Sequence, residues 1–301
     1  MKFVTFREAG IVRAGVFVDD AEGTNDAVFD LGHAALRPAL HGVEPQVLAL
    51  VQAGLADIVN SISMHGLAPT ARLPMSSVVL LAPVPCPKRI FGFAHNYHDA
   101  LAERGMPPPS EPVLFMKDGE SVVGPGASIV LPKGIGGVTY EAELAVIVGR
   151  KARNVSRERA LGYVAAYGVF NDVSASELIR KDGHFNRGKN FPTFGPFGPF
   201  IASSDEVPDP QALRVSLSVD GATLQNGSTR DMLFDVAALI SYLSHRGELE
   251  PGDVIATGTP AGVAPVQKPP TWLQPGMTVR TFVEGLGSLI NPVTEGTDFH
   301  G

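Results

Sequence analysis

The stretch Tyr140–Arg150, YEAELAVIVGR, limits the possible folds more than any other part of the chain. Leu144–Val148 is an unbroken apolar run rich in β-branched residues, which reads as a buried strand. Glu141 and Glu143 stand at its entry. Strand side chains alternate between faces, so these two project to the same side with Cα atoms about 7 Å apart. Two like charges that close repel. They coexist where a cation lies between them, where one is protonated, or where both are in water. A solvated strand edge meets the spacing as well as a site does. Asp172 adds a third carboxylate, in NDVSAS at the end of the apolar run Val164–Phe170. That position suits a loop-borne functional group or a turn or helix cap. Three carboxylates without a Cys or His cluster match a hard ion, Mg²⁺ or Mn²⁺ with Ca²⁺ also admitted, rather than Zn²⁺. Sequence separation alone does not bring Asp172 to the glutamates.

Around this run the chain reads as mainly β with an α+β organisation. Short β-branched or aromatic runs at Val113–Met116, Ile129–Leu131, Tyr140–Val148, Tyr167–Asn171, Leu213–Val219, Val254–Thr257 and Thr278–Phe282 are bounded by Gly, Pro or Asp. Asp220–Gly221 predicts a hairpin. Leu48, Val51, Leu55 and Ile58 form one stripe of a helix over Gln46–Ser61. Ser156 is expected to cap a helix running through Val164. Asp231 is expected to cap another that carries Leu233, Val236, Ile240 and Leu243 and ends at Gly247. Residues 1–77 read as a small N-terminal domain and 78–301 as the larger one. The connector, about 78–88, carries Pro83, Pro85 and Pro87.

With 44% hydrophobic and 18% charged residues the 301-residue chain can bury a core, which excludes wholesale disorder. A net charge of −7 repels a phosphate backbone, so nucleic acid is not an expected partner. The single cysteine, Cys86, makes no internal disulfide. No signal-like apolar segment follows the N-terminus and no run of about 18 apolar residues occurs, so a cytoplasmic protein without a membrane partner is expected.

Two further segments carry chemistry. Lys189 lies among Gly, Pro and aromatic residues in RGKNFPTFGPFGP, where a poorly hydrated ammonium can bind an anion or an enolate oxygen. Gly183 with Gly188–Lys189 mimics a phosphate loop, but Asn190 stands where Ser or Thr is needed and no strand leads in, so nucleotide binding is rejected. Thr257–Val263, TGTPAGV, follows a strand and is expected to offer hydroxyls and open N–H groups to a carboxylate.

Taken in order, GFAHNYHDALAE (Gly92–Glu103), EPVLFMK (Glu111–Lys117), YEAELAVIVGR, NDVSAS (Asn171–Ser176), GKNFPTFGP (Gly188–Pro196) and GDVIATGTPAGV (Gly252–Val263) resemble the fumarylacetoacetate hydrolase family, in its acylpyruvase and 2-hydroxyhepta-2,4-diene-1,7-dioate isomerase-like branch. The likeness spans about 70% of the chain. It implies a mixed β-roll with a small N-terminal domain, a homodimer, and one Mg²⁺ or Mn²⁺ held by Glu141, Glu143 and Asp172. It also implies that Lys189, Thr259 and Tyr97 face a small 1,3-dicarbonyl or 2-oxo acid. Hydrolysis of a C–C bond is the expected reaction. Decarboxylation, keto–enol isomerisation and an inactive metal-binding dimer are the alternatives.

The departures bear on the reaction. Asn96, Tyr97, Asp99 and Glu103 match the family's first motif, but Ala100 stands where hydrolysing relatives carry the water-activating histidine. His98 with Glu103 is the expected replacement and His95 the other candidate. His98 is two residues from Ala100, which is not the same helix face. Ser176 stands where relatives often carry Arg.

Overall fold

The computed structural model describes residues 1–19 and 26–298. The chain is α+β and predominantly sheet. A twelve-stranded mixed sheet carries, at its centre, Ala142–Val148 between Val164–Asn171 and Val254–Ala256. A five-stranded sheet runs Ala222–Ser228, Arg214–Val219, Thr278–Val283, Gly287–Asp298 and Ile129–Lys133. Leu144 and Val146 pack with Tyr167, Val169, Val215, Leu217 and Leu289 toward the smaller sheet. Ala145 and Ile147 pack on the opposite face with Ile201 and the helix Val47–His65. Both faces of the strand are covered, which is why its sequence is a continuous apolar run rather than an alternation.

The helix Val47–His65 is long and apolar enough to cross a membrane by length and mean hydropathy, 1.5. Its stripe of Val47, Leu50, Val51, Leu55, Ile58 and Ile62 is buried against the sheet, which accounts for that hydropathy. The expected boundary at 77/78 is crossed by strand pairing. Lys2–Glu8 joins both Val79–Leu81 and Gly195–Ser203, so the first strands belong to the same sheet as the carboxylate-bearing ones.

Two helix expectations need correction. Ser156 begins only a single turn, Arg157–Ala160, before the chain tightens and enters Val164–Asn171. The helix Val236–Arg246 is capped by Asp235, whose carboxylate accepts the Ala238 N–H at 2.7 Å, and not by Asp231. Leu233 is held outside the helix because its N–H is bonded to the Asn96 carbonyl. Gly195–Ser203, GPFGPFIAS, forms a central strand despite two prolines. Its pairing partner steps from Ile201 at Gly168 to Gly198 at Val169, a bulge that leaves Pro199 outside the ladder.

Candidate metal centre

Strand register brings the three carboxylates together. Ala142–Val148 pairs antiparallel with Val164–Asn171, placing Ala142 opposite Asn171. One step outward, the Asp172 N–H donates to the Glu141 carbonyl at 2.9 Å, and the Asn171 amide oxygen accepts the Glu141 N–H at 2.9 Å. Glu141, Glu143 and Asp172 each offer an oxygen within 4.8 Å of the others. Glu143 and Asp172 are buried and the Glu141 side chain is 16% exposed. Burial, together with the neighbouring carboxylates, pushes Glu143 well above the ordinary carboxylate range, and burial raises Glu141 despite Lys189. An all-oxygen, buried, like-charged trio of this size fits a hard dication, whose charge would relieve the repulsion.

Two ammonium groups complete the cluster. Lys189 donates to Glu141 at 2.8 Å and to Asp172, and lies 4.8 Å from the centre of the Phe115 ring. That ring has room because Gly92 pairs opposite it; a Cβ there would come within 2.2 Å of the ring. Burial disfavours the Lys189 ammonium, but Asp172, Glu141 and Glu143 outweigh it and hold the group charged. Lys117, at the end of Val113–Lys117, is fully buried, 2.9 Å from Asp172, and also donates to the Val173 and Lys189 carbonyls. Burial raises the Asp172 carboxyl, yet the two lysines reverse this and keep it below the usual range. Lys117 was not singled out by sequence reasoning. The signals were a lysine ending an apolar strand and its place at the end of the family-like segment EPVLFMK.

Through Glu141 and Lys189 the cluster borders a cavity of about 540 Å³, with Glu143, Asp172 and Lys117 buried behind them. Glu141, Lys189, Thr259, Ser174, His95 and Arg104 line it on the polar side. Phe93, Phe185, Ile179, Pro265, Pro270 and Trp272 form the apolar wall. Thr259 donates to the Ala142 carbonyl at 2.9 Å and accepts from Gln225 at 2.8 Å, so only a lone pair remains for a ligand.

Three expected site residues do not line the cavity. His98 is exposed and does not line the cavity, because the inward face of the helix His98–Arg104 is that of Ala100 and Arg104. Glu103, also outside the cavity lining, accepts the Gly262 N–H at 2.9 Å. Tyr97 is fully buried and does not line the cavity, and Glu143 is among the charges that act on its hydroxyl. Two of the N–H groups expected to be open in TGTPAGV are used by the protein. Gly258 donates to Glu143 at 2.8 Å and Gly262 to Glu103, so these two aim carboxylates of the protein. Gly258 has φ +94°, and a Cβ there would meet the Phe93 carbonyl at 2.8 Å. Gly258→Ala is therefore expected to cost about 1–3 kcal/mol and to release Glu143. Thermal melting and Mn²⁺ titration check this, and a wild-type melt with wild-type affinity would refute it.

Residues 89–294 match the family model described as fumarylacetoacetate (FAA) hydrolase C-terminal. A Burkholderia cenocepacia protein provisionally named a hydrolase is 50% identical over 201 residues, covering 66% of this chain and 71% of that one. A maleylpyruvate hydrolase from Sphingobium sp., solved with manganese(II) and pyruvate, superposes with a TM-score of 0.77 at 29% identity, covering 98% of this chain and 100% of that one. A 2-hydroxyhepta-2,4-diene-1,7-dioate isomerase from Mycobacterium marinum superposes with a TM-score of 0.77 at 28% identity, covering 98% of each.

Proposed function

The chain belongs to the fumarylacetoacetate hydrolase family, and from that premise we propose that it is a divalent-metal-dependent enzyme acting on a small 1,3-dicarbonyl or 2-oxo acid. The observation that carries this reading is the convergence of Glu141, Glu143 and Asp172 with two buried lysines, of which Glu141 and Lys189 reach the cavity. Three carboxylates against two ammonium groups leave one net negative charge. A dication turns that into one positive charge, which a monoanionic oxo acid neutralises. Glu141, Glu143 and Asp172 would hold Mg²⁺ or Mn²⁺, which supplies Lewis-acid polarisation of a carbonyl when bound.

The chain's own groups do the remaining work. Lys189 has three N–H donors, two of them bound to Glu141 and Asp172, and the side chain lines the cavity. Its third donor can hold the oxygen on which negative charge develops as a C–C bond breaks and an enolate leaves. Lys117 donates to two carbonyls and is ion-paired with Asp172, so it holds the site's shape. The wall of Phe93, Phe185 and Trp272 excludes water from the developing charge.

C–C hydrolysis is the first reading, supported by the names of the hydrolase relatives. Decarboxylation or keto–enol isomerisation is the second, favoured by the aliphatic Ala100 at the cavity and by His98 and Glu103 lying off it. A cytoplasmic homodimer is the setting this proposal assumes. Acetylpyruvate and oxaloacetate, each with Mn²⁺ and each compared with Mn²⁺ alone, separate the readings. Hydrolysis adds water to acetylpyruvate and releases acetate and pyruvate. Acceleration on oxaloacetate alone, giving pyruvate and CO₂, establishes the decarboxylase. No acceleration on either removes both of those activities.

A further inference from the structure

We propose that His95 serves the reaction as a neutral hydrogen-bond donor, presenting Nε2–H to a substrate oxygen, with Arg104 as the positioning residue that fixes this form. The assignment rests on the cavity being the active site, as read above. It concerns which group takes the place that Ala100 leaves empty of chemistry.

His95 follows the strand Ile90–Ala94 and lines the cavity, half-buried. Its φ is +59°, in the left-handed region that few residues other than glycine adopt and where strain collects at functional sites. Arg104 ends the helix His98–Arg104 and lines the same cavity, one helical turn beyond Ala100. Its guanidinium lies 3.1 Å from His95 Nδ1. A guanidinium only donates, so Nδ1 must be the acceptor, and the proton of the neutral ring is on Nε2. In this state neither nitrogen can take a proton from water. The Nδ1 lone pair is occupied by Arg104, and Nε2 already carries hydrogen. The ring can donate but not act as a base, the pattern of a neutral imidazole used as an electrophile.

The groups facing the ring agree. Arg104 from its helix and Lys189 from Asn186–Lys189 are cationic, and Glu141 across the cavity is already bonded to Lys189. Burial, then Arg104 and Lys189, keep the imidazole below its ordinary range and therefore uncharged at neutral pH. Lys189 and His95 thus line one cavity as two donors. The ligand they suit carries oxygens that are or become negative, such as the carboxylate and enolate oxygens of a 2-oxo acid. In the hydrolysis reading, water activation then falls to a group other than His95.

The ¹⁵N-resolved histidine spectrum of the unmodified protein reads the assignment directly. At pH 7 His95 is expected to show a protonated Nε2 and an unprotonated Nδ1; the opposite tautomer or an imidazolium would overturn the proposal. Arg104→Met is expected to shift the ring toward a tautomer mixture, and an unchanged spectrum would remove Arg104's role. Trp272, the one tryptophan of the chain, lines the cavity, so its fluorescence follows oxalate, a mimic of pyruvate enolate, in the presence of Mg²⁺. His95→Ala is expected to weaken oxalate by about 10- to 100-fold. His95→Gln, which keeps a donor and cannot be a base of imidazole type, should recover most of that loss. Oxalate binding by His95→Ala equal to wild type, or equal loss in both variants, would defeat the donor role. Mn²⁺ binding without oxalate is measured alongside. Its failure in the wild type would defeat the metal reading while leaving the nitrogen spectrum to judge His95.

Discussion

Glu143→Gln is expected to lower Mn²⁺ affinity by at least about 100-fold and to abolish turnover while the chain stays folded. Removing groups that merely orient a ligand typically weakens a metal site by about 10- to 100-fold, so removing a ligand starts where that range ends. The amide keeps an oxygen that can accept the Gly258 N–H now bonded to Glu143, so the loop Thr257–Val263 retains its anchor. The metal-free chain should be no less stable than wild type. Burial and the neighbouring Asp172 and Glu141 raise the Glu143 carboxyl above its ordinary range. A group raised in this way opposes folding once the pH exceeds its unfolded value, and a neutral amide removes that opposition at pH 7. Metal at about 100 times its Kd should stabilise the wild type by about 2.7 kcal/mol and the variant hardly at all. Melting curves with and without Mn²⁺, and a direct titration, measure this. Wild-type affinity in the variant would exclude Glu143 as a ligand.

The site was legible in proportion to how local its physics is. Glu141 and Glu143 could be read because strand periodicity puts i and i+2 on one face. Asp172 could be nominated by composition and position, but its approach to Glu141 depends on the antiparallel register that sets Ala142 opposite Asn171. Register is a tertiary choice and leaves little trace in one strand's sequence. Lys117 stayed hidden for the same reason: its partners, Asp172, Val173 and Lys189, come from distant segments. The strand Gly195–Ser203 was hidden by its prolines, which are tolerated only because a bulge sets Pro199 outside the ladder. The helix expected after Asp231 exists but starts four residues later, because Asp231 and Asp235 are equally good caps and long-range bonds chose between them. His95 and His98 could not be ranked from spacing. The inward face of a seven-residue helix is decided by what it packs against, and here Ala100 and Arg104 turn inward.

Lys117→Met should be the most destabilising single change at the site, costing about 3–5 kcal/mol, because it leaves a buried carboxylate short of a cation. Asp172 is fully buried, and Lys117 and Lys189 together hold its carboxyl below the ordinary value against the opposing effect of burial. A carboxyl depressed on folding contributes stability above its unfolded pKa and loses it as the pH falls through the lower folded value. Weakening that depression therefore costs most near neutrality. The deficit should shrink as acid protonates the carboxylate in both folded and unfolded chains. Urea unfolding of wild type and variant at pH 7 and at about pH 4 reads the sign. A deficit that grew on acidification would mean that Lys117 supports the core through its methylenes and not through its charge. Adding Asp172→Asn removes the stranded charge. The double variant should be more stable than Lys117→Met alone; with Asp172→Asn measured beside it the cycle gives the coupling, and if Lys117→Met does not fold, recovery of folding in the double variant gives its sign. Simple additivity would show that Lys189 alone suffices for Asp172, and that Lys117's bonds to the Val173 and Lys189 carbonyls are its main contribution.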